Sequence, residues 1–273
     1  MELGKKQVLT VVKQVDFGVY LGSEKEKVLL PKKQVPDGIE PGDPVEVFLY
    51  KDSSDRLIAT TNEPKLMLGG LAVLSVLQVG KFGAFLDWGL EKDLFLPFRE
   101  QTFKVKPGDE CLVTLYVDKS ERLCATMKVY EHLRKDSPYQ KDDRVEGIIY
   151  EGSDNFGMFV AVDDQYSALI PKREVTPGLR PGMRITARVT EVKPDGKLNL
   201  SVREKAFIQM DKDALMVLQK IEECGGKLPF NDKADAERIK KEFGISKNAF
   251  KRAVGHLYKE RKIEILADKI VLK

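Results

Sequence analysis

Two phenylalanines three residues apart, Phe156 and Phe159, are the side chains of this sequence best suited to binding a ligand. Gly157 follows the first of them. Side chains alternate between the two faces of a strand, so residues three apart normally face opposite sides. A bulge at the glycine would supply the extra residue that turns both rings to one face. Two adjacent exposed rings form a surface on which nucleic-acid bases can stack.

Five short strand-like segments contain this pair between Arg144 and Arg203. Alternating apolar residues and turn sequences delimit them, and Pro194–Lys197 has the composition of a hairpin turn. The predicted strands lie at 145–150, 155–160, 167–171, 184–190 and 198–203. Five short strands in so few residues predict a five-stranded oligonucleotide-binding (OB) barrel.

The same landmarks occur three times along the chain, which predicts tandem barrels. Each repeat has a Phe-Gly pair, a second aromatic residue, an apolar residue followed by proline, and a Pro-Gly turn. The two prolines are 10 residues apart in every repeat. We predict barrels at residues 1–64, 69–129 and 143–204. The aromatic pairs are Phe17 and Tyr20, Phe82 and Phe85, and Phe156 and Phe159.

These repeats resemble the ribosomal S-one RNA-binding domain. The resemblance rests on Gly147, 156–160, 170–171, Gly182 and 198–203. In that family two aromatics of strand two, a histidine of strand three and a basic residue ending strand five line the RNA face. Leu29, Phe95 and Leu169 stand at the histidine position in the three repeats. The resemblance implies RNA contacts for Phe156, Phe159 and Arg203 in the third repeat and for Phe82, Phe85, Phe95 and Lys128 in the second.

Packing between barrels competes for the same rings, because a domain this small buries limited apolar surface by itself. Binding and packing therefore remain alternative roles for each aromatic pair. Cys111 aligns with Val45 and Ile185, and Cys124 with Ile58, which predicts strand residues that replace small apolar ones and not reactive thiols.

The apolar period changes from two to 3.6 after the third repeat. We predict a helix at 211–223 with Ala214, Leu215, Leu218 and Ile221 on one face, and a second at 233–243 capped by Asn231 or Asp232 and ended by Gly244. Ser246 would cap a third helix, and a hairpin would follow it around 267–269. The expected buried stripe of the third helix is Phe250, Ala253, Val254, Leu257 and Tyr258.

This order of elements over 211–273 resembles the winged-helix domain, in which the third helix reads a DNA groove. The segment 205–273 has 16 Lys and Arg against 11 Asp and Glu, whereas residues 1–204 have 30 against 32. A positive field at the C-terminal end indicates a polyanionic partner. Candidate phosphate contacts on the third helix are Lys247, Lys251, Arg252 and Lys259.

Composition argues against several other classes of protein. The 273 residues have a net charge of +3, two histidines and three cysteines without a CxxC pair. We find no phosphate loop, nucleophile motif or metal-ligand spacing, and predict no enzyme, no cofactor, no metal and no small-molecule substrate. No signal peptide or apolar span of about 18 residues is seen, so a cytoplasmic protein without membrane contact is expected.

The whole chain is thus predicted to be mainly β with a C-terminal α+β domain: three tandem OB-fold barrels followed by a winged helix-turn-helix domain. This order resembles the conserved virulence factor B family of Gram-positive bacteria. The resemblance implies a non-catalytic binder of single-stranded RNA that regulates gene expression post-transcriptionally, including virulence genes, through the third barrel and the winged helix. Two alternatives remain: a transcriptional regulator that binds duplex DNA through the winged helix, or a module that docks on the ribosome or another protein.

Overall fold

The computed structural model describes residues 1–203 and 206–273, with side chains of the second range described from residue 212 onward. It forms two compact units, Met1–Val202 and Arg203–Lys273. The predicted end of the third barrel, residue 204, lies outside the described residues. No helix among the described residues is long and apolar enough to span a membrane.

The first unit contains three closed five-stranded barrels. The first has β1 (Lys6–Val15), β2 (Gly18–Gly22), β3 (Lys27–Pro31), β4 (Pro44–Lys51) and β5 (Leu57–Thr60). The second has β6 (Leu71–Val79), β7 (Gly83–Asp87), β8 (Leu94–Pro97), β9 (Glu110–Val117) and β10 (Leu123–Thr126). The third has β11 (Arg144–Ser153), β12 (Gly157–Val162), β13 (Tyr166–Pro171), β14 (Arg184–Val192) and β15 (Leu198–Ser201). In each barrel the third and fifth strands are parallel and the fourth and fifth antiparallel, the topology expected of an OB-fold.

The glycine of the Phe-Gly pair acts differently from the prediction. In the third barrel the register shifts on β11, between Ile149 and Glu151, and on β14, between Val189 and Glu191, whereas β12 pairs regularly with β13. Gly157 instead has φ of 120°, and a Cβ there would lie 2.1 Å from the carbonyl oxygen of Ile170. Only glycine tolerates this backbone and this approach. Phe156 therefore precedes the strand, on the turn that enters it, and the predicted bulge at Gly157 was wrong.

Barrel-to-barrel packing uses none of the first aromatics of the three pairs, although Phe159 packs against the cluster between the second and third barrels. Phe48 and Tyr50 of the first barrel place their ring centroids 5.8 and 6.1 Å from that of Trp88. Leu112 of the second barrel and Tyr150 of the third share another buried cluster. The first aromatic of each Phe-Gly pair stays exposed, because the apolar contacts between barrels are made elsewhere: Phe17 is 58%, Phe82 71% and Phe156 62% accessible.

The second unit consists of α1 (Ala206–Glu223), β16 (Lys227–Leu228), α2 (Ala236–Phe243), α3 (Lys247–Lys259), β17 (Ile263–Ile265) and β18 (Ile270–Leu272). The three strands form a sheet in the order β16-β18-β17. Ser246 caps α3 by accepting a hydrogen bond from the Ala249 amide, and Gly244 ends α2 with φ of 69°, as predicted. Local cap chemistry therefore sets the turn between these two helices.

Four details of this unit differ from the sequence prediction. Helix α1 begins at Ala206, before the predicted residue 211. Helix α2 begins at Ala236, later than the predicted residue 233, so Asp235 rather than Asn231 or Asp232 caps it. Leu215 and Tyr258 are 58% and 56% exposed, so neither belongs to the predicted buried stripes. Both lie at the margin of an apolar face, where a small rotation of the helix decides burial.

Both strand cysteines are buried and replace apolar residues of the barrel core, as predicted. Burial raises the pKa of the Cys111 thiol to about 12 and that of Cys124 to about 11. Thiolate is the reactive form of cysteine, so these two side chains are inert packing groups at neutral pH.

Candidate nucleic-acid interface

The third barrel has a groove of about 530 Å³ at its aromatic pair. Pockets of roughly 300–1,000 Å³ are typical for bound small groups such as one nucleotide. Most of its walls are apolar. It is lined by Tyr130, Glu151, Ser153, Phe156, Phe159, Ser167, Ala168, Leu169, Lys193, Lys197 and Leu198. The structure thus brings together the two predicted rings and several side chains that the sequence did not indicate.

Three aromatic rings face this groove. The centroids of Phe156 and Phe159 are 6.3 Å apart with planes 56° from each other. Tyr130 adds a third ring, 5.8 Å from Phe159 and edge-on to it at 82°. Phe159 also packs against the buried Tyr150, with centroids 6.1 Å apart, which holds the floor of the groove in place. The rings form an angled cradle that several base faces can contact.

Tyr130 belongs to a short 3-10 turn, Tyr130–His132, that precedes the barrel. No local pattern in the sequence links this segment to Phe159 or predicts it as part of a site. The adjoining residues are held against the barrel: the Arg134 amide donates to the Gln165 carbonyl, and the Ser167 amide donates to the Arg134 carbonyl. The segment before β11 is therefore part of the third barrel's surface.

Positively and negatively charged side chains both line the groove. Lys197 lies 2.8 Å from the Asp195 carboxylate and 5.5 Å from the centroid of the Tyr130 ring. The hydrogen bond to Asp195 raises the pKa of Lys197, so its ammonium group is charged at neutral pH. Lys193 and Glu151 also line the groove, both only partly exposed. Within the described residues their side chains make no hydrogen bond or ion pair.

Leu169 lies on β13 directly opposite Phe159, and Phe95 lies opposite Phe85 in the second barrel. The strand-three position therefore faces the second aromatic in both barrels, as the S-one pattern requires. In the third barrel it supplies an aliphatic wall, and Tyr130 supplies the further ring.

The second barrel has a smaller groove of about 350 Å³ around Phe82, Phe85 and Phe95. The Phe85 and Phe95 centroids are 5.3 Å apart, and Lys81 lies over the Phe82 ring at 5.3 Å. The other two cations of this groove, Lys92 and Arg122, are held by the first barrel. Asp55 pairs with both, and the Lys92 ammonium donates to the Asp52 carbonyl at 2.7 Å. These cations are less available to phosphates than those of the third barrel.

Two predicted basic contacts lie apart from these grooves. Lys128 is exposed, and its ammonium lies 3.3 Å from the Glu100 carboxylate. It does not line the second barrel's groove, where Lys81, Lys92 and Arg122 supply the positive charge. Arg203 is exposed at the start of the second compact unit and is not among the residues lining the third groove.

The first barrel has an aromatic pair without a comparable set of groups. Phe17 and Tyr20 have centroids 6.4 Å apart in an edge-on arrangement at 87°. Leu29 lies opposite Tyr20. This barrel is the natural internal control for the other two.

Helix α3 presents a basic face of its own. Lys251, Arg252 and Lys259 are exposed on this helix. Tyr258 is also exposed and lies on the same side as Lys251, about two turns further along. The Lys247 ammonium is instead directed to the Lys233 carbonyl oxygen at 3.2 Å, and this residue is partly buried. Its position favours a structural link between α3 and the segment before α2.

Family models match almost the whole chain. The S1 domain, which is the ribosomal S-one repeat, matches residues 3–62 and 68–128. The second domain of virulence regulatory factor CvfB matches residues 130–204, and the CvfB-like winged helix domain matches 215–272. Conserved virulence factor B of Staphylococcus aureus (strain bovine RF122 / ET3-1) is 30% identical over 262 residues, covering 92% of this chain and 87% of the relative. The chain belongs to the conserved virulence factor B family.

Other relatives agree with this assignment to the conserved virulence factor B family. Protein YitL of Bacillus subtilis (strain 168) is 30% identical over 279 residues, covering 96% of this chain and 91% of the relative. A crystal structure of a Streptococcus pneumoniae TIGR4 multidomain protein with nucleic acid binding domains covers 99% of this chain and 98% of that chain, with a TM-score of 0.56 and 27% identity. The family is a regulatory one of the nucleic-acid-binding type, and is not a known enzyme family.

Proposed function

We propose that this protein is a non-catalytic RNA-binding regulator that acts post-transcriptionally, with virulence genes among its targets, as the name of the related Staphylococcus aureus protein suggests. Its primary binding site would be the groove of the third barrel. The observation that carries this proposal is the cradle of Phe156, Phe159 and Tyr130 with Lys193 and Lys197 at its edge. Rings that stack on bases and cations that neutralise phosphates are the two elements of single-strand recognition.

A groove supports a single strand better than a duplex. Bases in a duplex are stacked on each other, whereas single-stranded RNA can splay bases out against protein rings. The three rings here surround a concave space and are not spread along a convex helix. Phe82, Phe85 and Phe95 would form a secondary site, weakened by the engagement of Lys92 and Arg122 with Asp55.

The second unit would add phosphate contacts through Lys251, Arg252 and Lys259. We assign Arg203 the same role, at the end of the third barrel, and keep Lys128 and Lys247 as weaker candidates because both already have partners. We propose that the chain has four domains, which are residues 1–64, 69–129, 143–204 and 211–273.

The exposed basic face of α3 also favours a second candidate function, binding of duplex DNA through the winged helix. Lys251 and Arg252 are placed as a recognition helix would place them. Ribosome docking is the third possibility, and the near balance of charge in residues 1–204 is its support.

Salt titrations of the full chain test these proposals. Affinity for a single-stranded RNA, a single-stranded DNA of the same sequence and a duplex DNA would be measured by fluorescence anisotropy. On a single strand, log affinity falls as log salt rises, and the magnitude of this slope is about 0.7 per phosphate contacted. A double variant, Lys193→Gln with Lys197→Gln, should therefore reduce the magnitude of the slope for RNA by about 1.4.

The matched control is the double variant Lys172→Gln with Arg173→Gln, which removes two cations that lie in the same barrel but outside the groove. Equal slopes for the groove variant and the wild type would contradict the RNA site. Tighter binding of the duplex DNA than of the RNA would favour the DNA-binding function if it is lost in the double variant Lys251→Gln with Arg252→Gln. Binding of no nucleic acid together with association with purified ribosomes would favour docking.

A further inference from the structure

The groove of the third barrel contains a carboxylate that the stacking function does not require. Glu151 lies on β11 immediately after the bulge that separates it from Ile149. Its side chain is partly shielded from solvent and, within the described residues, has no hydrogen-bond or ion-pair partner. Shielding a charge without a partner is unfavourable. A carboxylate in a site for a polyanion is more unfavourable still. Its presence is explained if it accepts hydrogen bonds from a donor group of the ligand.

We propose that Glu151 selects guanine, so that the third barrel prefers single-stranded RNA containing this base. The inference rests on the proposed function and specifies the ligand of the same groove. An ionised carboxylate only accepts hydrogen bonds. Guanine presents two adjacent donors on its Watson–Crick edge, the ring N1–H and the exocyclic amine, which match the two carboxylate oxygens. Adenine and cytosine each offer one amine beside an acceptor, and uracil offers one N–H between two carbonyls.

The placement of the other groups agrees with this ligand. Phe156 and Phe159 provide ring faces for the base, and Lys193 and Lys197 lie at the β14–β15 hairpin, a separate segment from the part of β11 that carries Glu151. Lys193 is also without a side-chain partner within the described residues. One nucleotide in a groove of about 530 Å³ would place its base edge toward the carboxylate and its phosphate toward the ammonium groups. The two unpaired charges would then both be satisfied by one ligand.

The other two barrels offer no such carboxylate at the same position. Gln78 follows the bulge of β6, and Lys13 follows that of β1. The residue after the bulge is therefore different in each barrel, although the barrels share their strand register. Guanine selection by a carboxylate at this position is thus assigned to the third barrel.

The test uses the full chain and short uridine-rich RNAs that differ at one central position, which is guanosine, inosine, adenosine, cytidine or uridine. Inosine lacks only the exocyclic amine of guanosine. We expect the wild type to bind the guanosine RNA about tenfold more tightly than the adenosine, cytidine and uridine RNAs, with inosine between them. Glu151→Gln should abolish this preference, so that all five RNAs bind with about equal affinity. Glu146→Gln, an exposed change on the same strand outside the groove, is the control.

Three results would overturn the inference. They are equal wild-type affinity for all five RNAs, equal affinity for guanosine and inosine RNAs, or a guanosine preference that survives Glu151→Gln. If binding is equal for all five but falls with Phe156→Ala, guanine selection fails and the proposed function stands. If no RNA binds, the proposed function fails, and guanine selection fails with it. Thermal unfolding of each variant confirms that affinity changes do not come from loss of the fold.

Discussion

The change that best separates binding from folding is Phe156→Ala. This ring is 62% exposed, and its only aromatic contact within the described residues is Phe159, 6.3 Å away. Fully burying a phenylalanine contributes about 1.5–3 kcal/mol, and about four tenths of this side chain is shielded. Its removal should therefore lower the free energy of unfolding by only about 0.6–1.1 kcal/mol.

The expected effect on RNA affinity is larger. Base stacking on an aromatic ring contributes about 1–3 kcal/mol per base, which corresponds to a loss of about 5- to 150-fold in affinity. Phe159→Ala would be harder to interpret, since Phe159 packs against both Tyr130 and Tyr150. Its loss would affect the groove floor as well as the stacking surface.

The assay is fluorescence anisotropy with a labelled single-stranded RNA of about 12 nucleotides, a length within the reach of such barrels. Phe17→Ala is the matched control, because Phe17 occupies the same place in the first repeat and is 58% exposed. It should destabilise the fold to a similar extent and leave RNA affinity unchanged. Phe82→Ala should lie between the two. Equal affinities for Phe156→Ala and wild type would refute the stacking argument and make these rings structural.

Three further predictions concern other parts of the barrels. Tyr130→Ala should weaken RNA binding about fivefold or more, whereas Tyr130→Phe should retain it, because the ring and not the hydroxyl forms the wall; anisotropy with both variants tests this. Gly157→Ala should destabilise the third barrel by more than about 2 kcal/mol in urea unfolding, whereas Gly178→Ala, with φ of 95° and no atom within 4 Å of its Cβ, should lose less. Cys111 has a pKa of about 12 in the fold against an ordinary value of 9.0, so its stabilising effect is complete below pH 9 and is lost as pH rises to about 12. Cys111→Val should therefore show a smaller alkaline loss of stability than wild type; an identical alkaline loss would exclude this cause.

Local sequence patterns predicted the three barrels and the winged helix correctly. Strand alternation, the Phe-Gly and Pro-Gly spacing and the caps at Gly244 and Ser246 are local features, and local backbone preferences decide them. The pairing of Gly18 with Pro31, Gly83 with Pro97 and Gly157 with Pro171 shows how closely the repeats share one register. The two aromatics of the third repeat were expected on one face through a bulge at Gly157. They do share a groove, but Phe156 reaches it from the turn before β12.

The side chains that surround those aromatics depend on tertiary contacts and could not be predicted. Tyr130, Glu151 and Lys197 come from separate segments, and no local pattern connects them. The same holds for Lys92 and Arg122, whose charges are engaged by the turn of a neighbouring barrel. Tyr258 is a similar case in a helix. The elements packed around a residue at the edge of an apolar face decide whether it is buried or exposed. Side-chain pairing between distant segments depends on how packed elements dock, so it can be read only from the assembled chain.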